Sequence, residues 1–135
     1  MTSSTRPRPS PDDLVERLLA SGLRGRGGGW FPAGRKWKAV RVEGGEPIVV
    51  ANGAEGEPGS FKDRYVMTLR ADDGVRGLSL AARAVGAREA IVFLKSSFEG
   101  PAAALEAALG SAELDGLAVP LRRGEDSYIV GEETA

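Results

Sequence analysis

The span from residue 17 to residue 42 combines side chains that could bind an anion. It holds seven cationic residues and no Asp or Glu. Five glycines within residues 25–34 would let backbone N–H groups approach a ligand closely. Trp30, Phe31 and Trp37 add flat apolar faces. The cations are Arg17, Arg24, Arg26, Arg35, Lys36, Lys38 and Arg41. The combination predicts a site for a phosphate-bearing ligand with a planar ring.

Two familiar nucleotide-binding motifs nearly fit this span and are rejected. Residues 29–36 have the spacing of a P-loop but lack the Lys-Ser/Thr ending that reaches phosphate and Mg²⁺. Residues 25–30 begin like a dinucleotide fingerprint, but Trp30 stands where the third glycine is needed and a helix precedes them. A solvated loop with scattered cations stays open as the alternative, although the interleaved aromatic residues favour a binding loop.

A second Gly-rich segment, residues 52–59, follows a predicted strand. Ligands of open α/β sheets bind beyond the carboxyl ends of the strands. Asn52 offers an amide, and Glu55 and Glu57 offer carboxylates that can accept hydrogen bonds from ribose hydroxyls or a carboxamide. A turn with its acids facing water is the alternative. Just beyond it, Lys62 and Asp63 are predicted to form a charge pair at the start of a helix.

The composition excludes several kinds of chemistry. With neither Cys nor His, the chain has no iron–sulfur ligands, thiolate metal site, cysteine nucleophile or imidazole base. Its 135 residues are a length typical of a single domain. Its net charge of −1 does not favour nucleic acid as a partner. Catalysis would therefore depend on carboxylates, Lys, Arg, Tyr, backbone amides or a bound cofactor.

Helices and strands are predicted to alternate along the chain and to position the two Gly-rich segments. This alternation predicts an α/β domain with a mainly parallel sheet and flanking helices. Residues 1–10 are expected to be a disordered tail, residues 11–135 the binding domain, and the ending at 131–135 suggests an incomplete domain. Helices are predicted at 11–22, 72–86 and 101–109, a loop at 23–37, a buried strand at 47–52, and further strands at 89–95, 117–121 and 128–130.

Three segments together resemble the family of flavoprotein subunits of bacterial complex I, the NADH-quinone oxidoreductase. The first is SGLRGRGG at 21–28, which continues to FPxGxKW at 31–37. The second is NxxEGEPG at 52–59 with FKDR at 61–64, and the third is YIxGEETA at 128–135. Their order and spacing match the family, and the resemblance covers about residues 13–135.

The resemblance implies a Rossmann-like domain that binds FMN and passes a hydride from NADH to it, with no metal and no catalytic side chain in this chain. Phe31 would stack on the adenine of NADH, and Glu133 would accept from its adenosine ribose. Partner subunits for electron transfer are also implied. The implied FMN-binding residues are Gly25, Gly27, Lys36, Asn52, Glu55, Gly131 and Glu132, and the implied NADH-binding residues are Gly28, Phe31, Glu57 and Glu133.

The sequence departs from the family pattern at several places. The family usually has a small residue and then Gly where this chain has Gly29 and Trp30, and Asp where Ala54 stands. An aromatic residue near Ala39 is also lost. The family continues with a ubiquitin-like region and a Cys-ligated iron–sulfur domain, so this chain is expected to be truncated and inactive as an NADH dehydrogenase on its own.

Two other identities remain open from the sequence. One is a flavoprotein module of an Rnf-type or formate-dehydrogenase-associated complex, and the other is a truncated remnant without catalysis. No apolar run approaches the roughly 20 residues that span a bilayer, and the first residues lack the apolar region of a signal peptide. A cytoplasmic location is therefore expected, with peripheral attachment to the inner membrane through partner subunits.

Overall fold

The computed structural model describes residues 7–26, 29–54 and 62–124, and within them helices alternate with strands. This arrangement confirms the predicted α/β class. In chain order the elements are α1 (Pro11–Ser21), α2 (Ala33–Glu43), β1 (Ile48–Gly53), α3 (Lys62–Leu69), α4 (Ala71–Val85), β2 (Glu89–Lys95), α5 (Glu99–Ser111) and β3 (Leu121–Gly124).

The three strands form a parallel sheet in the order β1-β2-β3, as the alternation of elements predicts. The predicted strand at 117–121 is shifted, because the strand that forms is Leu121–Gly124. Carbonyls of Ala118 and Pro120 already accept hydrogen bonds from β2, but Pro120 has no N–H to donate to the ladder. The predicted strand at 128–130 lies outside the described residues.

The hydrophobic core lies between one face of the sheet and the helices α4 and α5. Ala90, Val92 and Leu94 alternate along β2 and are all buried on this face. From α4, Val75 and Leu78 contribute to the same cluster. The core therefore fixes β2 firmly, and β2 in turn fixes the neighbouring β1, which ends at the second Gly-rich segment.

The prediction that β1 is a buried strand is wrong in the described structure. Ile48 and Val50 are 55% and 56% exposed, whereas Gly53 at the end of the strand is buried. Apolar residues on both faces are typical of parallel strands covered on two sides. Here β1 has one hydrogen-bonded neighbour among the described strands, and the helices α3 and α4 pack against it.

Helix α1 begins and ends where its sequence predicts. The Ser10 hydroxyl accepts a hydrogen bond from the Asp13 N–H at 3.1 Å, and the Asp13 carboxylate accepts from the Ser10 N–H, which completes a capping box. Gly22 ends the helix in a left-handed conformation with φ of 71°. Val15 is the buried residue of this helix.

Helix α2 corrects the prediction of a loop over 23–37, because residues from Ala33 onward are helical. Pro32 fixes the backbone immediately before the helix. Gly34 then packs so closely on α1 that a Cβ atom there would lie 2.8 Å from the Leu19 backbone nitrogen. Contact with α1 therefore stabilises a helix that a Gly-rich and Pro-containing sequence does not suggest locally.

The far end of α2 is joined to two other helices through Arg41. Its Nε donates to the Asp12 carboxylate in α1 at 2.8 Å, and its Nη1 donates to the Ala84 carbonyl near the end of α4 at 3.4 Å. Because α4 leads directly into β2, this end of α2 lies where the strands begin. The N-terminus of α2 is thus directed away from the starts of the strands.

Two smaller features complete the described fold. Lys62 and Asp63 form the predicted charge pair at 2.6 Å, and they lie at the start of a helix, α3, as predicted. Arg8 lies against Glu113 and Asp115 in the turn after α5. No helix in the described part of the chain is long and apolar enough to cross a membrane.

Candidate functional site

The Gly-rich loop, defined here as residues 23–32, is closed by backbone hydrogen bonds between its two ends. The Ala33 N–H donates to the Leu23 carbonyl at 2.9 Å, and the Gly25 N–H donates to the Phe31 carbonyl at 2.8 Å. A Cβ at Gly25 would make an ordinary van der Waals contact with the Phe31 oxygen at 3.8 Å, so the hydrogen bonds, and not the missing side chain, hold the two ends together. The loop therefore enters α2 with a fixed geometry.

The first turn of α2 has the opposite charge from the one that a helix N-terminus prefers. Arg35 and Lys36 lie in it, no acidic residue does, and Pro32 at the N-cap position provides no side-chain hydrogen bond. The positive end of the helix dipole disfavours cations by several tenths of a kcal/mol each. An anion bound at this turn would reverse that effect.

Phe31 connects the loop to the cations of α2. Its ring centroid lies 5.4 Å from the guanidinium carbon of Arg35 and 5.5 Å from Nζ of Lys36. The ring is 42% exposed, so one part of it packs against cations while the rest faces solvent. A planar ligand with a phosphate could contact all three of these side chains.

Trp30 adds a second aromatic residue with cations around it. The guanidinium carbon of Arg26 lies 5.3 Å from its ring centroid, and Nη1 of Arg24 donates to its carbonyl at 3.2 Å. Trp30 is 54% exposed and has a φ of 49°, in the left-handed region. Sequence reasoning counted Arg24 and Arg26 among the cations but found no sign that they contact Trp30.

These cations are not neutralised within the described chain. In residues 7–26, 29–54 and 62–124, no carboxylate forms an ion pair with Arg24, Arg26, Arg35 or Lys36. Exposed cations attract anions only weakly when they are isolated, but a cluster fixed beside a helix N-terminus acts together. The site can therefore bind a phosphate group.

Asn52 lies at the carboxyl end of β1, where the parallel topology predicts ligand contacts. Its Oδ1 accepts a hydrogen bond from the Ala54 N–H at 3.1 Å, which fixes the turn that leaves the strand. Ala54 itself is buried. Asn52 is exposed at this end of the sheet.

The structure brings some of the predicted binding residues together and leaves others undescribed. Gly25, Phe31 and Lys36 are joined by the contacts above, and Asn52 lies at the end of β1. The roles assigned to these four stay predictions. The other predicted residues lie outside the described part of the chain, and they are Gly27, Gly28, Glu55, Glu57, Gly131, Glu132 and Glu133.

Cavities in the described structure lie beside these residues and also far from them. One of about 310 Å³ lies at the end of β1 and is lined by Asn52, Asp63 and Met67 among others. A larger one of about 630 Å³ lies at the opposite end, between Arg8 and the turn after α5, and contains none of the predicted site residues. The cavity at the end of β1 is the relevant one for the predicted site residues because it lies at the carboxyl end of a strand, although its volume is smaller.

Comparison with known proteins gives an independent result. Residues 18–135 match the family model described as the Nuo51 FMN-binding domain. The chain is 37% identical to an NADH-quinone oxidoreductase subunit of Rhizobium meliloti (strain 1021), over 93% of this chain and 33% of that protein. It is 34% identical to the NAD-reducing hydrogenase HoxS subunit alpha of Cupriavidus necator, over 93% of this chain and 23% of that protein.

Solved structures agree with the sequence relatives. A crystal structure of an NAD⁺-reducing [NiFe]-hydrogenase in the air-oxidized state superimposes with a TM-score of 0.85 and 37% identity. The match covers 92% of this chain and 22% of the hydrogenase chain. The chain thus spans about a quarter to a third of the length of the relatives that it matches.

Proposed function

The chain belongs to the Nuo51 FMN-binding domain family, and on that premise we propose that it binds FMN and takes part in electron transfer from NADH. The observation that carries the proposal is the first turn of α2. There Arg35 and Lys36 oppose the helix dipole without any acid in the turn. A bound phosphate is the simplest group that makes this arrangement favourable.

The described residues fit the two chemically distinct parts of FMN. Lys36 and Arg35 would hold the phosphate, together with the positive end of α2. Asn52, at the end of β1, carries an amide, a type of group that suits the polar edge of a flavin ring. Each residue acts here through binding and orientation, and none needs to transfer a proton.

NADH is proposed as the reductant because of the aromatic residues of the loop and the names of the relatives. Phe31 is 42% exposed, so its ring can pack on a planar base. The relatives are an NADH-quinone oxidoreductase subunit and an NAD-reducing hydrogenase subunit. NAD(H) is the reactant that both names share.

FMN, when bound, would supply the redox chemistry, because its ring system can accept a hydride from a dinucleotide. The residues of this chain would hold the two nucleotides against one another and exclude competing orientations. Since the relatives are subunits of larger assemblies, we also propose that other subunits carry the electrons onward. A cytoplasmic location, with attachment to a membrane only through such partners, belongs to the same proposal.

Lys36→Ala is the variant that tests the phosphate site. Loss of a charge-assisted hydrogen bond costs about 1–3 kcal/mol, so the dissociation constant of FMN is expected to rise roughly five- to a hundredfold. The affinity would be measured by titrating FMN with the 135-residue chain and following flavin fluorescence.

Lys38→Ala is the matched control. It removes the same charge from the same helix, but Lys38 lies beyond the first turn, where Asp12 and Glu16 of α1 share its surroundings. Its FMN affinity is expected to stay within about twofold of wild type. Equal FMN affinity in the wild type and the Lys36→Ala variant would show that the phosphate does not bind at this turn.

A further inference from the structure

The cavity of about 630 Å³ lies at the end of the sheet where β2 begins, because Ala87 and Arg88, which precede that strand, line it. Helices α1 and α4, the residues before α1 and the turn after α5 supply the rest of its wall. The volume is within the range of sites that bind small molecules. None of the residues proposed above to bind FMN or NADH lines it, so it forms a separate candidate site.

Apolar side chains from several elements form much of this wall. Leu80 of α4 is 39% exposed, so it presents apolar surface to the space of the cavity. Burial of such surface against an apolar ligand is favourable. The apolar residues of the wall include Pro9, Leu14, Leu80, Leu114 and Leu117.

Arg83 is a cation that the fold holds at this cavity. It lies in the last turn of α4, where the helix dipole favours a positive charge. Its neighbours Ala82 and Ala84 are buried, and Arg83 itself is half-buried. Among the described residues, no carboxylate forms an ion pair with Arg83 or with Arg88. An anion in the cavity would give the half-buried guanidinium the acceptor that it lacks.

The two carboxylates at the cavity already have a partner in Arg8. Its guanidinium lies 3.1 Å from the Glu113 carboxylate and also contacts the Asp115 carboxylate. With three arginines and two acids, the residues that line the cavity carry a net charge of +1. A monoanion balances this charge, whereas a dianionic phosphate would exceed it and would be repelled more strongly by the two acids.

We propose that this cavity binds a monocarboxylate with an apolar body, such as a medium-chain fatty acid. The carboxylate would accept hydrogen bonds from the Arg83 guanidinium, and the charge of Arg88 would add to the attraction. The alkyl chain would lie against the leucines of the wall. The inference does not depend on the proposed function, because the two sites lie at opposite ends of the sheet.

Decanoate is the probe that tests this site, and 1-decanol, which has the same chain without the charge, is its matched control. Each would be titrated into the 135-residue chain by calorimetry. Decanoate is expected to bind saturably, and 1-decanol to bind at least about tenfold more weakly.

Arg83→Gln is expected to weaken decanoate binding about five- to a hundredfold, because it removes the charged donor. Arg17→Gln is the matched control, since Arg17 is an exposed arginine of α1 that does not line this cavity. Its decanoate affinity is expected to stay within about twofold of wild type. The unfolding temperature of both variants would be measured alongside.

Leu80→Glu tests the same site without changing an arginine. Because Leu80 is exposed to the cavity, the substitution leaves the core unchanged and places a negative charge beside the ligand. Decanoate affinity is expected to fall at least about fivefold, and in Leu80→Met to stay within about threefold of wild type. This pair decides the question even where Arg83→Gln lowers the unfolding temperature.

Each other outcome would overturn the inference or support it. Decanoate binding that does not saturate, or equal affinities for decanoate and 1-decanol, would show adsorption to apolar surface only and overturn it. Equal losses in Arg83→Gln and Arg17→Gln would overturn it as an effect of overall charge. Displacement of decanoate by FMN would place decanoate in the nucleotide site and overturn it too. Saturable decanoate binding that requires Arg83, in a chain that does not bind FMN, would support it and contradict the proposed function.

Discussion

Leu94→Ala is expected to lower the free energy of unfolding by about 2–5 kcal/mol, because it removes buried methyl groups and leaves a cavity. Leu94 lies on the core face of β2, near the carboxyl end of the strand, and is fully buried. It also packs against the end of β1, since a Cβ at Gly53 would lie 2.6 Å from a Leu94 methyl carbon. The loss would be measured by urea unfolding, followed by circular dichroism.

Leu69→Ala is the matched control for this core substitution. Leu69 ends α3 and is 62% exposed, so the same change of side chain there is expected to cost no more than about 0.5 kcal/mol. If the two variants lost equal stability, the core would not lie where the structure places it.

Gly34→Ala and Gly74→Ala are expected to change stability in opposite directions. A Cβ at Gly34 would lie 2.8–2.9 Å from backbone and side-chain atoms of Leu19, so α1 and α2 would have to separate. Such overpacking costs about 1–3 kcal/mol. Gly74 lies within α4 and has open space around its Cβ position, so alanine there is expected to add up to about 1 kcal/mol.

Thermal and urea unfolding of the two variants would check this expectation on one protein. Both substitutions improve helix propensity, so propensity alone would move both in the same direction. A shared gain in stability would therefore show that the close contact between Gly34 and Leu19 does not form. A fall confined to Gly34→Ala would establish that contact and, with it, the position of Lys36 two residues later.

The sequence predicted elements well where local patterns decide them. Ser10 and Gly22 bound α1 through a capping box and a left-handed glycine, and both features can be read from residue types alone. The alternating residues of β2 and the helix-forming residues of α5 are equally local. These elements appear within about two residues of their predicted ends.

Elements fixed by tertiary contact were predicted less well. The start of α2 depends on Gly34 lying against Leu19, and glycine and proline locally indicate a loop instead. The exposure of β1 depends on which helices cover the sheet. The apolar residues of the strand alone do not reveal this. The third strand begins later than predicted because Pro120 has no N–H to donate to the ladder. The pattern of apolar residues alone does not show this.

The candidate site was predictable in its composition but not in its pairings. The spacing of glycines and cations indicated a phosphate site, and Gly25, Phe31 and Lys36 do come together. The contacts of Trp30 with Arg24 and Arg26 require a left-handed backbone at a tryptophan. Residue preferences argue against that conformation, so sequence reasoning could not have found these contacts.

Because α1 packs antiparallel against α2, ligand binding at the first turn of α2 is thermodynamically linked to the local unfolding of α1. Gly34 rests on Leu19 at one end of the pair, and Arg41 joins Asp12 at the other. A ligand that binds only when the first turn of α2 is in place must therefore also favour the closed state of α1. The amide protons of α1 would then exchange more slowly in the presence of a ligand bound one helix away.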